Sequence, residues 1–229
     1  MMNGIIFDFN GTMFFDERFQ ELSWRKFIKE KTGKDASEEE FQEYVHGRNA
    51  EITLPYFLKQ ELTRDEIDRY EEEKEIIYRK LCLESPDFKL AEGLPAFLDE
   101  LVYRKIPITI ATASARNNVK FFFDNLQLDK WFDMEKVVYN DGKLPGKPEP
   151  DLYLQAADNI NVEIRECVIF EDAKSGIEAA KRAKAGSIIG VASMLRKEEL
   201  ITLGVTKVID NYTDQDLREL IRLNKIFKM

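Results

Sequence analysis

The chain reads as an α/β protein, a Rossmann-like parallel sheet core with an inserted all-α, four-helix cap. Three observations predict it. Short, nearly continuous apolar runs rich in β-formers alternate with helical stretches over the C-terminal part, as the buried strands of a parallel sheet do. One more such run stands at the N-terminus, separated from the others by a long helix-patterned block with no convincing strand. The length, 229 residues, suits one domain with a large insertion or two modest domains.

The elements follow in order. Gly4 to Phe9 (GIIFDF) is a short strand closed by the turn Asn10-Gly11-Thr12. A helical region runs from about Phe15 to Cys82. Within it Trp24, Phe27, Ile28 and Lys31 share helical spacing, and Gly33 ends that helix. Ser37 with Glu40 three residues on forms a capping box. His46-Gly47-Arg48-Asn49 breaks the chain, and helices follow over Glu51 to Glu61 and Arg64 to Leu83. Mixed charge in the last of these marks a solvated face. Ser85-Pro86-Asp87 and Glu92-Gly93 punctuate the return to alternation. Leu94 to Arg104 is a helix with proline near its start, and Ile106 to Thr112 (IPITIAT) a strand. A helix over Asn117 to Asn125, a strand over Lys136 to Tyr139 and a helix over Pro150 to Asp158 come next. Glu166 to Glu171 (ECVIFE) is a strand, and Ser175 to Ala185 a helix ended by Gly186. The strand Ser187 to Val191, a helix near Arg196 to Leu203, the strand Lys207 to Ile209 and a helix over Asp214 to Lys225 complete the pattern. The expected division is 1–14 with 93–229 as core and 15–92 as cap.

Composition narrows the function classes. A net charge of −9 with no basic block disfavours nucleic acid. No apolar run approaches the roughly 18 residues that span a bilayer. The N-terminus lacks the basic segment and cleavage site of a signal peptide. Cys82 and Cys167 lie far apart and form no CxxC, which suits structural thiols in a reducing compartment. The cytoplasm is the default location, and a monomer the default state.

Polar residues gather just past the strand ends, the edge where open α/β sheets bind ligands. They are Asp8-Phe9-Asn10-Gly11-Thr12, Thr112-Ala113-Ser114, Lys147-Pro148-Glu149-Pro150-Asp151 and Glu171-Asp172. Their order and identity resemble the haloacid dehalogenase-like superfamily, in its branch of phosphatases and β-phosphoglucomutases with a helical cap after the first strand. The resemblance covers nearly the whole chain and is weakest in the cap.

The resemblance implies a Mg²⁺-dependent hydrolase of a small phosphorylated metabolite. Asp8 would be the nucleophile, forming an acyl phosphate that water later cleaves. Lys147 would keep Asp8 ionised and hold phosphoryl oxygens. The hydroxyl of Thr112 and backbone N–H groups around Ala113 and Asn10 would bind phosphate. Asp8, Asp172 and the Asn10 carbonyl would hold Mg²⁺, with Glu171 either orienting a metal-bound water or acting as a helix N-terminal acid. Thr12 braces the first loop, and Lys174 is a surface residue. In the cap, Arg48 either meets a second anionic group on the substrate or serves as a helix-capping or surface residue. His46 shares that loop and is a further candidate for substrate contact. Met13, Phe14 and Phe15 form an apolar flap over the site or pack cap on core.

Two departures stand out. The family carries aspartate two residues after the nucleophile, and here Asn10 stands there. A carboxamide cannot serve as general acid or base, help typically worth roughly 10²–10⁴-fold. Either the substrate has a good leaving group or catalysis is weak. Similar mutases have histidine early in the cap, where this chain has Gln20, which weakens a mutase reading.

Overall fold

A computed structural model describes residues 3–46, 48–215 and 217. Their contacts divide the chain into two compact units, 1–15 with 89–229, and 16–88.

The larger unit holds a six-stranded parallel sheet of order β3-β2-β1-β4-β5-β6. Its strands are β1 (Gly4–Phe7), β2 (Ile108–Ala115), β3 (Val138–Asn140), β4 (Cys167–Glu171), β5 (Ser187–Val191) and β6 (Lys207–Ile209). β1 is central, and Ile5 faces Ile108 on one side and Val168 on the other. Both β1 and β4 are fully buried, and up to the site residue Glu171 their sequences are continuously apolar rather than alternating. Successive strands run outward from β1 in one direction and then from β4 in the other. The switch point therefore falls between β1 and β4, where such sheets open a crevice at their C-terminal ends.

The helices of this unit that bear on the site are α6 (Arg116–Leu126), α7 (Asp151–Asn159) and α8 (Lys174–Arg182). Tyr153 and Ala156 of α7 pack in one apolar cluster with Ile6, Ile169, Ile177 and Ala180, so helices and sheet close on each other. On the other side Phe7, Phe97, Phe170 and Tyr212 form an aromatic cluster, with Phe7 stacked on Phe170 at 4.9 Å between centroids.

The smaller unit is helical: α1 (Glu17–Thr32), α2 (Glu38–Tyr44), α3 (Ala50–Leu58) and α4 (Arg64–Leu83). Gly33 ends α1 at φ 72°, and the Ser37–Glu40 capping box opens α2. Thr63 and Glu66 repeat that box at α4. Phe27, Ile28, Phe41, Leu54 and Ile67 form its core.

Two expectations need correction. The second strand does not stop at Thr112; it runs to Ala115, because Ala115 pairs with Asn140 past an irregularity in the ladder. The helix expected to reach Gly186 ends at Arg182. Lys184 takes a left-handed φ of 62° and turns the chain early. Gly186 serves close packing instead, since a Cβ there would lie 2.2 Å from the Arg165 carbonyl oxygen. Met13 and Phe14 are buried, Phe14 edge-on to Phe122, and Phe15 is exposed. Most of the helix expected over Asp214 to Lys225 lies outside the described residues.

Candidate active site

The site is built at the C-terminal edge of β1 and β4. The Asp8 N–H donates to the Phe170 carbonyl at 3.0 Å, extending the β1–β4 ladder one residue beyond the strand. That register sets Asp8 beside Glu171 and Asp172. After Asp8 the chain folds back sharply, with the N–H groups of Thr12, Met13 and Phe14 all meeting the Phe9 carbonyl. Gly11 makes this possible at φ 75°. A Cβ there would stand 2.1 Å from Asp172 Oδ2.

Lys147 reaches the same point from the segment before α7. Its Nζ lies 2.6 Å from Asp8 Oδ1 and 2.7 Å from Glu171 Oε1, and 4.8 Å from the centre of the Tyr153 ring. The lysine side chain is only 6% exposed. Burial works against the ammonium, but Asp8 and Glu171 outweigh it and raise its pKa well above the usual lysine value. Lys147 is therefore a fixed cation.

Glu171 is held on every side. Oε1 also accepts the Tyr153 hydroxyl at 3.0 Å, and Oε2 accepts the Ala173 N–H at 2.7 Å, just before α8. Gly176 in the first turn of α8 leaves room for it, since a Cβ there would fall 1.5 Å from Oε1. Glu171 thus accepts a backbone N–H just before α8 while meeting Lys147.

Asp172 is 1% exposed. Its Oδ1 accepts the Thr12 hydroxyl at 3.0 Å, and Ser193 Oγ lies 3.5 Å from Oδ2. Burial first, then the charges of Glu171 and Asp8, push its pKa well above the usual carboxylate value. Asp8, Glu171 and Asp172 each offer an oxygen within 4.8 Å of the others. Three crowded carboxylates against one lysine leave negative charge unbalanced. Hard oxygen donors in that arrangement fit a hard divalent cation.

Thr112 is buried in β2, where its Oγ1 accepts the Ser114 N–H at 3.1 Å. Ser114 Oγ donates to Asn10 Oδ1 at 2.7 Å, tying the second strand's end to the loop after β1. Ala113 between them is exposed. Lys174, Ser175 and Arg116 are exposed. Asp8, Asn10, Thr112, Lys147, Glu171 and Asp172 all belong to the larger unit. His46 and Arg48 belong to the helical one, just past α2. There His46 meets the Phe41 ring edge-on, and exposed Arg48 donates through Nε to the Glu43 carbonyl. Tyr153, Ser193 and Gly176 join the site without any motif of their own. Only the helical register of α7 put Tyr153 on the same face as its core neighbours.

The sheet order and the carboxylate–lysine cluster define an α/β protein with a charged site at its switch point. The haloacid dehalogenase-like hydrolase family matches residues 5–189, and the chain belongs to that family. A phosphorylated carbohydrates phosphatase of Thermotoga maritima is 29% identical over 198 residues, which is 85% of this chain and 87% of that protein. A β-phosphoglucomutase of Bacillus subtilis is 27% identical over 193 residues, 80% of each chain. The crystal structure of a family IA, variant 3 hydrolase from Entamoeba histolytica superposes with a TM-score of 0.91 at 36% identity, covering 98% of this chain and all of that one.

Proposed function

We propose that the chain is a Mg²⁺-dependent phosphatase acting on small phosphorylated metabolites through a phospho-aspartyl intermediate on Asp8. The observation that carries this reading is Lys147 Nζ lying between Asp8 Oδ1 and Glu171 Oε1 in a buried carboxylate cluster. The similarity to a phosphatase of phosphorylated carbohydrates makes that class the first to test.

Asp8, Asp172 and the Asn10 carbonyl would hold Mg²⁺, with Glu171 beside them. The ion would supply charge neutralisation between nucleophile and phosphoryl group. The chain's own residues do the rest. Lys147 pairs with the Asp8 carboxylate and attracts the phosphoryl oxygens. Thr112 and nearby N–H groups are donors for the same oxygens. Asp8 attacks phosphorus, and the bond to the leaving oxygen breaks with its electron pair. Water then attacks phosphorus of the acyl phosphate, releasing inorganic phosphate and restoring the Asp8 carboxylate. Asn10 gives no proton to the leaving oxygen and takes none from water, so solvent must exchange both. Substrates whose leaving oxygen is stable as an anion should therefore react fastest.

A second reading has its own support. Asn10 is bonded to Ser114 and cannot titrate, which suits a protein that binds phosphate and metal without turnover. Mutase chemistry is disfavoured by Gln20, whose amide bonds Asp16 and Lys74 within the helical unit.

A leaving-group series with Mg²⁺ tests these readings. Activated phosphates should turn over, Asp8→Asn should abolish turnover, and Asn10→Asp should accelerate poor leaving groups most, by up to roughly 10²–10⁴-fold. No turnover in either protein, with no covalent phosphate on Asp8, would end the hydrolase reading and leave the binding one.

A further inference from the structure

We infer that Tyr212 is a positioning residue for the cation-binding carboxylate Asp172, acting on it through Thr12. The inference rests on the divalent-cation reading of the site.

Tyr212 lies beyond residue 189, where the family match ends. It follows β6, at the edge of the sheet far from β1 in strand order. Its hydroxyl nonetheless donates to the Thr12 carbonyl at 3.2 Å, inside the loop that follows the nucleophile. Thr12 is fully buried, and its own hydroxyl donates to Asp172 Oδ1 at 3.0 Å. Two hydrogen bonds in series thus run from Tyr212 to one ligand oxygen.

The geometry leaves Tyr212 little choice. Its ring is 5% exposed and lies among Phe7, Phe97 and Phe170, with centroids 6.3, 5.7 and 5.6 Å away. Its N–H donates to the Glu92 carbonyl at 2.9 Å. Gly93 beside it, at φ 80°, has no Cβ to strike the Tyr212 carbonyl carbon, which would lie 2.6 Å away. Backbone and ring are therefore both fixed, and the hydroxyl is aimed. Burial, followed by the charges of Asp172 and Asp8, raises its pKa well above the usual tyrosine value, so it remains a donor.

A tyrosine that only satisfied a buried carbonyl would affect stability alone. A positioning residue also alters how Asp172 meets a cation. Outer partners of metal ligands typically change affinity by about 10–100-fold. Tyr212 stands one bond further out than Thr12, so the low end is expected.

The test uses the full chain without substrate. MgCl₂ is titrated into the wild type, Tyr212→Phe, Thr12→Val and the double variant, read by calorimetry and by the rise in Tm. Tyr212→Phe should weaken Mg²⁺ binding about tenfold. Thr12→Val should weaken it at least as much, and the double variant should be no worse than Thr12→Val alone, as expected of residues acting in one chain. A lower Tm for Tyr212→Phe with unchanged Mg²⁺ affinity would overturn the inference, as would full additivity of the two variants. If Tyr212→Phe does not fold, unchanged affinity in Thr12→Val is by itself decisive against it. Failure of the wild type to bind Mg²⁺ would instead remove the cation reading, and this inference with it.

Discussion

Nζ of Lys147 stands 2.6 Å from Oδ1 of Asp8, although the two are 139 residues apart in the chain. The contact joins Asp8 to a buried lysine that also meets Glu171. Lys147→Ala should leave Asp8 and Glu171 buried and uncompensated, at a cost of about 3–5 kcal/mol of stability, measured by urea unfolding. Mg²⁺ should recover part of that deficit. Turnover should fall by at least about 10²-fold, as when one preorganised donor is removed. Lys147→Arg should not restore it, because a planar fork cannot occupy a point-charge site.

Two glycines with nearly the same backbone separate strain from crowding. Gly11 and Gly33 both have positive φ, 75° and 72°. A Cβ at Gly33 meets nothing within 4 Å, whereas one at Gly11 would press on Asp172. Gly33→Ala should cost only about 1–2 kcal/mol, the left-handed penalty, and leave turnover intact. Gly11→Ala should cost more and abolish turnover. Equal losses of activity in the two would contradict the crowding argument.

Burial pushes the thiols of Cys82 and Cys167 each up to about 12, from a usual value near 9. Below pH 9 both forms of the protein keep these protons, and the full contribution to stability is present. Between about pH 9 and pH 12 the unfolded chain loses them first, so stability falls as pH rises. A urea-unfolding series across that range should show the decline, flattened in Cys82→Ser with Cys167→Ser. Alkylation of the folded protein at pH 8 should be slow and should become fast in denaturant.

Within the helical unit, Asp16 is buried and its Oδ2 accepts the Tyr78 hydroxyl at 2.8 Å and the Gln20 amide at 3.0 Å. Tyr78→Phe keeps the ring and removes one donor from a buried carboxylate. It should cost about 1–3 kcal/mol in thermal unfolding. Asp16→Asn in that background should restore part of the loss, whereas a change of less than about 0.5 kcal/mol in Tyr78→Phe would show the bond to be dispensable.

Sequence carried much of this architecture because its signals are local. GIIF and CVIFE read as buried strands since both faces of a central parallel strand are apolar. Ser37 with Glu40 and the residue Gly33 announced helix ends through chemistry confined to one turn. Asp8, Lys147, Glu171 and Asp172 were legible because each stands at a strand end or helix start in a recognisable order. The missed features depend on distant approach. Lys184 ends α8 by turning left-handed, which no residue type demands. Tyr153 and Ser193 reach the site, and Tyr212 reaches Thr12, by packing, and none of the three belongs to a motif. Ser114 was visible as a polar residue, but its bond to Asn10 joins positions 104 apart.

The central position of β1 also has a temporal side. Ile5 pairs with Ile108 and with Val168, so neither partner exists when β1 leaves the ribosome. At about 5–20 residues per second, roughly a hundred further residues take on the order of 5–20 s. For that interval GIIF is an unpaired apolar edge, while the helical unit, complete by residue 88, has every contact of its own core available. Synthesis thus completes the inserted unit first and leaves β1 exposed until β2 and β4 follow it.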